Sequence, residues 1–182
     1  MDGSAPDLAA SGDLAPARAP LHHRADASQC LGPAPAGSCN FNGGGPGMCK
    51  ADSDCTMGSN GRCVENNGGA IFCMCSYDTC TTDASCGAGK LCACHGSQYM
   101  NGGNSCYPGN CRVDTDCLGG RGYCSPSANP MGCGGLGGYY CHTPADTCID
   151  DTDCTNSMNG PQQCTFSTSD SRWECTPQLL CA

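Results

Sequence analysis

Large apolar side chains are rare along this chain. Leu, Ile, Val and Phe occur nine, two, two and three times in 182 residues, and 27 Gly and 12 Pro break up the intervals between them. Such a pattern predicts turns and loops rather than long helices. Two apolar clusters flank turn residues and predict hairpins: Cys63-Val64-Glu65 returning through Asn66-Asn67-Gly68-Gly69 to Ala70-Ile71-Phe72, and Cys164-Thr165-Phe166 returning through 167–171 to Arg172-Trp173-Glu174-Cys175. Asn-Gly steps at 60–61, 67–68, 101–102 and 159–160 supply the positive φ that tight turns need.

With so few large side chains, burial at roughly 25 cal/mol per Å² does not offset the ordering of the backbone. The chain instead carries 22 cysteines, and each disulfide that closes a loop contributes roughly 2–4 kcal/mol. The expected core is therefore sulfur. Bridges in this number persist outside the reducing cytosol, so the chain is expected to be secreted or displayed at a cell surface. The even count leaves no obligatory free thiol.

The cysteines are periodic. Cys49-Lys-Ala-Asp52-Ser-Asp54-Cys55 returns as Cys80-Thr-Thr-Asp83-Ala-Ser85-Cys86, as Cys111-Arg-Val-Asp114-Thr-Asp116-Cys117 and as Cys148-Ile-Asp-Asp151-Thr-Asp153-Cys154. A shift of 31 residues maps Cys49, Cys55, Cys63 and Cys75 onto Cys80, Cys86, Cys94 and Cys106. The looser third and fourth sets are Cys111, Cys117, Cys124, Cys141 and Cys148, Cys154, Cys164, Cys175. A period of this length marks a repeat architecture. The division is an Ala/Pro/Asp-rich disordered spacer at 1–29, a leading cysteine segment at 30–48, and repeats at 49–79, 80–110, 111–147 and 148–182. The fold class is small, disulfide-rich and irregular, with short β-hairpins and single helical turns in an elongated tandem array.

Four cysteines allow three connectivities, of which first-to-third with second-to-fourth is the one expected here. Cys30, Cys39, Cys73, Cys92, Cys133 and Cys181 remain as satellites. They are expected to link neighbouring repeats, Cys73 with Cys92 first among them, while Cys30 and Cys39 pair together or begin a partial repeat. Asp52, Asp83, Asp114 and Asp151 are expected to cap the C-x5-C turn as N-cap or Asx-turn acceptors.

Other chemistry finds little footing. Alternating aspartates suggest calcium, and Asp150, Asp151 and Asp153 form the best single candidate. Calcium wants six to eight oxygens, however, and no D-x-D-x-D-G run is present, so capping is the preferred reading and no cofactor is expected. No C-x2-C occurs, which removes zinc ribbons and thioredoxin-like centres. Cys73-Met74-Cys75 and Cys92-Ala93-Cys94 read as disulfide-forming rather than metal-clustering. Gly132–Gly137 matches G-x-G-x-x-G but lacks the preceding strand and following helix of a dinucleotide site. His22 and His23 fall in the spacer, and His95 and His142 each adjoin a half-cystine. With no nucleophile motif, the chain is expected not to be an enzyme.

A net charge of −9 with eight Lys plus Arg argues against nucleic acid and anionic membranes. No apolar stretch is long enough to span a bilayer, and the opening residues lack a secretory n-region and h-region. The export signal, and with it a lipid anchor, is expected upstream of this chain.

The C-x2-D-x-D-C step resembles the central signature of whey acidic protein (four-disulfide core) modules, although the adjacent cysteines of those modules are absent. It is also similar to Dickkopf-type cysteine-rich domains and to short repeats of bacterial surface proteins. Pro6-Asp7-Leu8-Ala9 and Gly12-Asp13-Leu14-Ala15 are similar to the tails of bacterial surface lipoproteins. Modular repetition with variable loops on a constant frame points to a stalk, display scaffold or self-assembling element with a protein partner. The whey acidic protein resemblance implies a protease inhibitor, with Arg62, Lys90, Arg121 or Arg172 on the presenting loops. Carbohydrate binding through Tyr99, Tyr107, Tyr123, Tyr139, Tyr140 and Trp173 is the third expectation, against the simpler one that these rings cover disulfides.

Overall fold

The computed structural model describes residues 18–27, 29–30, 39, 48–66, 72–100, 102–130, 134–156 and 160–178. Each of the four repeats is a short 3-10 turn followed by an antiparallel hairpin. The turns are Asp52–Asp54, Asp83–Cys86, Asp114–Asp116 and Asp151–Asp153. The hairpins are β1 (Ser59–Asn66) with β2 (Phe72–Asp78), β3 (Lys90–Ala93) with β4 (Ser105–Pro108), β5 (Cys124–Ala128) with β6 (Leu136–Cys141), and β7 (Gln162–Ser167) with β8 (Arg172–Pro177). Both hairpins expected from sequence are present as strands; the turn at 67–71 lies outside the described residues. No helix among the described residues is long and apolar enough to cross a membrane.

An isolated two-stranded hairpin is marginal in water. Here its register is pinned by two half-cystines placed directly opposite each other: Cys63 with Cys75, Cys92 with Cys106, Cys124 with Cys141 and Cys164 with Cys175. Directly paired residues face the same side of a hairpin, so both sulfurs project toward the 3-10 turn. There they meet the two cysteines that bracket it, as Cys49–Cys63 with Cys55–Cys75, Cys80–Cys92 with Cys86–Cys106, Cys111–Cys124 with Cys117–Cys141, and Cys148–Cys164 with Cys154–Cys175. The turn is clamped to the hairpin at both ends.

In repeat 2 the structure departs from the 31-residue alignment. Cys92, not Cys94, faces Cys106 and joins Cys80. Spacing alone leaves two cysteines one residue apart as equal candidates on an extended chain; Cys92 lies within β3 and Cys94 directly past its end, and backbone register makes the choice. Cys94 instead bonds Cys30, and Cys73 bonds Cys39, which replaces the expected Cys73–Cys92 bridge and the Cys30–Cys39 pair. Among the described residues no disulfide runs from one repeat to another, and no cysteine is free. Cys133 and Cys181 lie outside the described residues.

Neighbouring repeats are joined by packing. Between repeats 1 and 2, Thr79 N–H donates to Asn104 O at 2.8 Å, Asn104 N–H to the Asp78 carboxylate at 2.8 Å, and Gly103 N–H to Ser76 Oγ at 2.7 Å. Repeats 2 and 3 share the main apolar cluster, with Leu91, Ala93 and Met100 from one and Leu136 and Tyr139 from the other. Gly109 lies at this joint because a Cβ there would come within 2.7 Å of both Tyr139 O and Leu91 Cδ2.

Repeats 3 and 4 meet through aromatic rings. Tyr140 stacks on Phe166 at 4.0 Å, and His142 on Trp173 at 4.4 Å. Trp173 Nε1 donates to Cys141 O at 3.2 Å, and Phe166 N–H donates to Ser127 Oγ at 2.9 Å. Trp173→Ala should therefore cost about 3–5 kcal/mol, and Gly109→Ala about 1–3 kcal/mol through overpacking. Denaturant unfolding with the disulfides intact measures both losses; an exposed substitution such as Met57→Ala, where 93% of the side chain is open, should leave the curve unchanged.

Candidate functional site

The repeated aspartates divide two tasks. The first of each pair, expected to cap its own turn, reaches across to the hairpin. Asp52 accepts from Cys63 N–H at 2.8 Å, Asp83 from Cys92 at 2.9 Å, Asp114 from Cys124 at 2.8 Å and Asp151 from Cys164 at 2.8 Å. Each carboxylate thus ties the turn to the backbone of the half-cystine that the first disulfide also holds. Local capping belongs to the second aspartate. Asp54 accepts from Lys50 and Ala51 N–H, Asp116 from Arg112 and Val113, and Asp153 from Ile149 and Asp150. The backbone bonds from Lys50 and Ala51 hold the Asp54 carboxyl below its usual range. In repeat 2, where Ser85 stands in that place, its hydroxyl meets Thr82 Oγ1 at 3.2 Å instead.

A feature absent from the sequence reading runs alongside these turns. Residues 18–27 and 29, expected in a disordered spacer, and Cys30, expected in the leading cysteine segment, form a strap laid against the repeats in reverse order. Arg18 reaches repeat 4, donating to Asp150, and to Asp153 at 2.8 Å. His23 reaches repeat 3, bonding Asp114 Oδ2 at 2.7 Å with its ring edge-on to Tyr123. Arg24 reaches repeat 2, donating to both Asp83 oxygens at 3.1 and 3.3 Å. Its guanidinium lies 5.5 Å from the Tyr139 ring centroid. Backbone bonds on either side, Arg24 N–H to Cys124 O and Asp114 N–H to Arg24 O, both 2.8 Å, bring it down onto repeat 3. The disulfides then latch Cys30 to repeat 2 and Cys39 to repeat 1.

The calcium candidate becomes part of this contact. The Asp150 and Asp153 carboxylates converge on the Arg18 guanidinium, and Asp151 holds Cys164 N–H. The hydrogen bond from Arg18 holds the Asp150 carboxyl well below its usual range, and the same bond raises Arg18. Groups of three sulfurs within 4.8 Å recur in every repeat, for example Cys49, Cys55 and Cys75, and all of them are half-cystines.

Two further groups are brought together only by the fold. His142 is fully buried beneath Trp173, and its Nδ1 lies 2.9 Å from Asp146. Asp146 also accepts from Thr143 N–H, Thr143 Oγ1 and Trp173 N–H. Burial pushes this carboxyl up, but the bonds from His142, Thr143 and Trp173 together outweigh it and hold the group below its usual range. Nothing in the spacing of Asp146 marked it. The strap's basic residues did leave a trace: Arg18, His22, His23 and Arg24 fall within seven positions of an otherwise acidic chain.

Of the presenting-loop cations, Arg62 is 5% exposed and sits 3.9 Å from Asp78, whereas Lys90 and Arg121 are exposed and Arg172 meets Glu174 at 3.4 Å. Among the aromatics, Trp173 and Tyr139 are buried at the joints, and Tyr99, Tyr107, Tyr123 and Tyr140 are half-buried. His95 Nδ1 meets Gly102 O at 2.9 Å. Between strap and array lies a cleft of about 350 Å³ lined by His22, His23, Arg24, Ser97, Gln98 and Tyr139, with Cys92 and Cys94 on its wall.

Asp83→Asn leaves Arg24 buried without its counter-charge and should cost about 3–5 kcal/mol. Arg18→Gln, at an exposed and solvent-screened pair, should leave the denaturation midpoint nearly unchanged; chemical denaturation of the oxidised variants compares the two. Because the Asp146 carboxyl is depressed, its contribution is present above the unfolded value of about 3.9 and is lost as pH falls through the folded value. The emission of the single Trp should therefore remain that of a buried indole at pH 5 and shift red only below about pH 4. Asp146→Asn should remove that acid limb.

No protein-family model matches the chain, and neither a curated protein nor a solved structure does. What identifies it is its own construction: a cysteine-rich, repeat-like module of paired half-cystines and short hairpins.

Proposed function

We propose that the chain is a non-catalytic extracellular interaction protein, a stapled array that holds variable loops on a constant frame. The observation that carries this reading is the fourfold recurrence of one clamp, with Asp-to-cystine bond and paired disulfides, beneath hairpin loops of differing length and composition. Loops ordered before contact lose less freedom on binding, and a scaffold of this kind suits protein recognition or self-assembly. Ten disulfides, with no membrane-crossing helix among the described residues, fit an oxidising, extracellular setting. The resemblance to short repeats of bacterial surface proteins supports the same reading.

Protease inhibition is favoured by one specific feature. Arg121 is exposed directly after a turn braced on Cys117, whose carbonyl accepts from Gly120 and Gly122 N–H at 2.9 and 3.1 Å. A rigid basic loop beside a half-cystine suits a trypsin-like primary pocket, as the likeness to whey acidic protein modules implies. The carbohydrate reading loses its main platforms with the burial of Trp173 and Tyr139.

The scaffold reading is tested by probing panels of extracellular proteins and polysaccharides with the oxidised protein, alongside sedimentation velocity at micromolar concentration. Saturable protein binding or reversible self-association, lost after reduction and alkylation, is the expected result. Turnover of peptide, ester or glycoside substrates by the oxidised protein would overturn it. Inhibition of a trypsin-like enzyme that disappears in Arg121→Ala would move the assignment to the inhibitor reading.

A further inference from the structure

Two disulfides of repeat 2 lie side by side. Cys30–Cys94 latches the strap and Cys80–Cys92 braces the hairpin to its turn. Cys30 Sγ is 3.5 Å from Cys92 Sγ, a sulfur to which it is not bonded. Cys92 and Cys94 are separated by one residue, so in extended chain their side chains leave the same side. The repeat period itself assigns the hairpin position to Cys94, and the structure assigns it to Cys92. Both cysteines form part of the wall of the cleft of about 350 Å³ between strap and array, and Cys94 is half-buried rather than sealed.

We propose that Cys30, Cys80, Cys92 and Cys94 form a thiol-exchangeable switch in which the strap latch and the repeat brace trade partners. An external thiolate entering the cleft attacks Cys94 Sγ, forming a mixed disulfide there. The Cys30–Cys94 bond breaks, and its electron pair leaves on Cys30 as a thiolate. Cys30 attacks the neighbouring Cys92 Sγ, forms Cys30–Cys92 and displaces Cys80 as the new thiolate. Cys80 then attacks Cys94, forms Cys80–Cys94 and expels the external thiolate unchanged. Nothing is oxidised or reduced overall. The intermediate keeps the strap on Cys92 but releases one of the two disulfides that clamp the turn carrying Asp83, the counter-charge of Arg24, and leaves that turn held by Cys86–Cys106 alone. Exchange therefore couples the covalent latch to the ion pair that seats the strap.

The test follows which cysteine becomes free. The oxidised full chain is exposed to a glutathione redox buffer, quenched with acid, alkylated and mapped by mass spectrometry. Glutathione on Cys94 accompanied by alkylation at both Cys30 and Cys80 is the expected result. Alkylation confined to Cys30, no reaction at these four cysteines, or scrambling of repeats 3 and 4 at the same rate each overturns the proposal. Cys94→Ser supplies an independent arm without added thiol: the unpaired thiol should be shared between Cys30 and Cys80. A thiol found on Cys30 alone would show that Cys92 does not exchange. Should that variant not fold, the glutathione experiment on the unmodified chain decides alone.

Discussion

Every repeat depends on one constraint, the pair of half-cystines set directly across a two-stranded hairpin. A single cross-strand pair fixes register, because any slip separates the two sulfurs from the cysteines that bracket the turn. With the pair fixed, the first aspartate of the turn meets the N–H of the same half-cystine at 2.8–2.9 Å in all four repeats. Covalent and hydrogen-bonded ties thus converge on one residue, and among the described residues four short hairpins are held without a helix longer than a 3-10 turn or a sheet wider than two strands. Limiting the unfolded ensemble does what apolar burial does in ordinary domains.

Charge supplies the next level of order. The repeats place acidic turns in succession, and an array of like charge repels itself. The strap lays basic residues against them: Arg18 on repeat 4, His23 on repeat 3 and Arg24 on repeat 2. The contacts are not equal. Arg24 and Asp83 are both buried, where an unpaired partner is expensive, whereas Arg18 is exposed and its pair is screened by salt. The reverse path of the strap makes contacts of very long sequence separation, and the two disulfides to Cys30 and Cys39 close them covalently.

Packing at the joints takes up several of the large side chains among the described residues. Leu91, Leu136, Met100 and Tyr139 seal repeat 2 to repeat 3, while Trp173, His142, Tyr140 and Phe166 seal repeat 3 to repeat 4. The rings sit at the joints and also against half-cystines, Tyr139 with Cys111, Cys117 and Cys124 and Trp173 with Cys148 and Cys164, which removes several of them from the surfaces free to meet a ligand.

Repetition, disulfide dependence and the two clearest hairpins were readable in the sequence, because cysteine spacing and turn residues act locally and recur. Asp52, Asp83, Asp114 and Asp151 were recognisable as structural, but their partners lie 9 to 13 residues onward, across a turn whose geometry spacing does not encode. Cys92 and Cys94 were indistinguishable for a similar reason: residues two apart face the same side of a strand, and only the pairing of β3 with β4 selects between them. The strap was the largest omission. Its residues bury little of their own, so composition alone reads them as a spacer, and their order comes from carboxylates and a sulfur 59 to 135 positions away. Linear sequence determined what each repeat is made of; the tertiary structure decided which repeat each strap residue meets, since that depends on how the repeats stack in space.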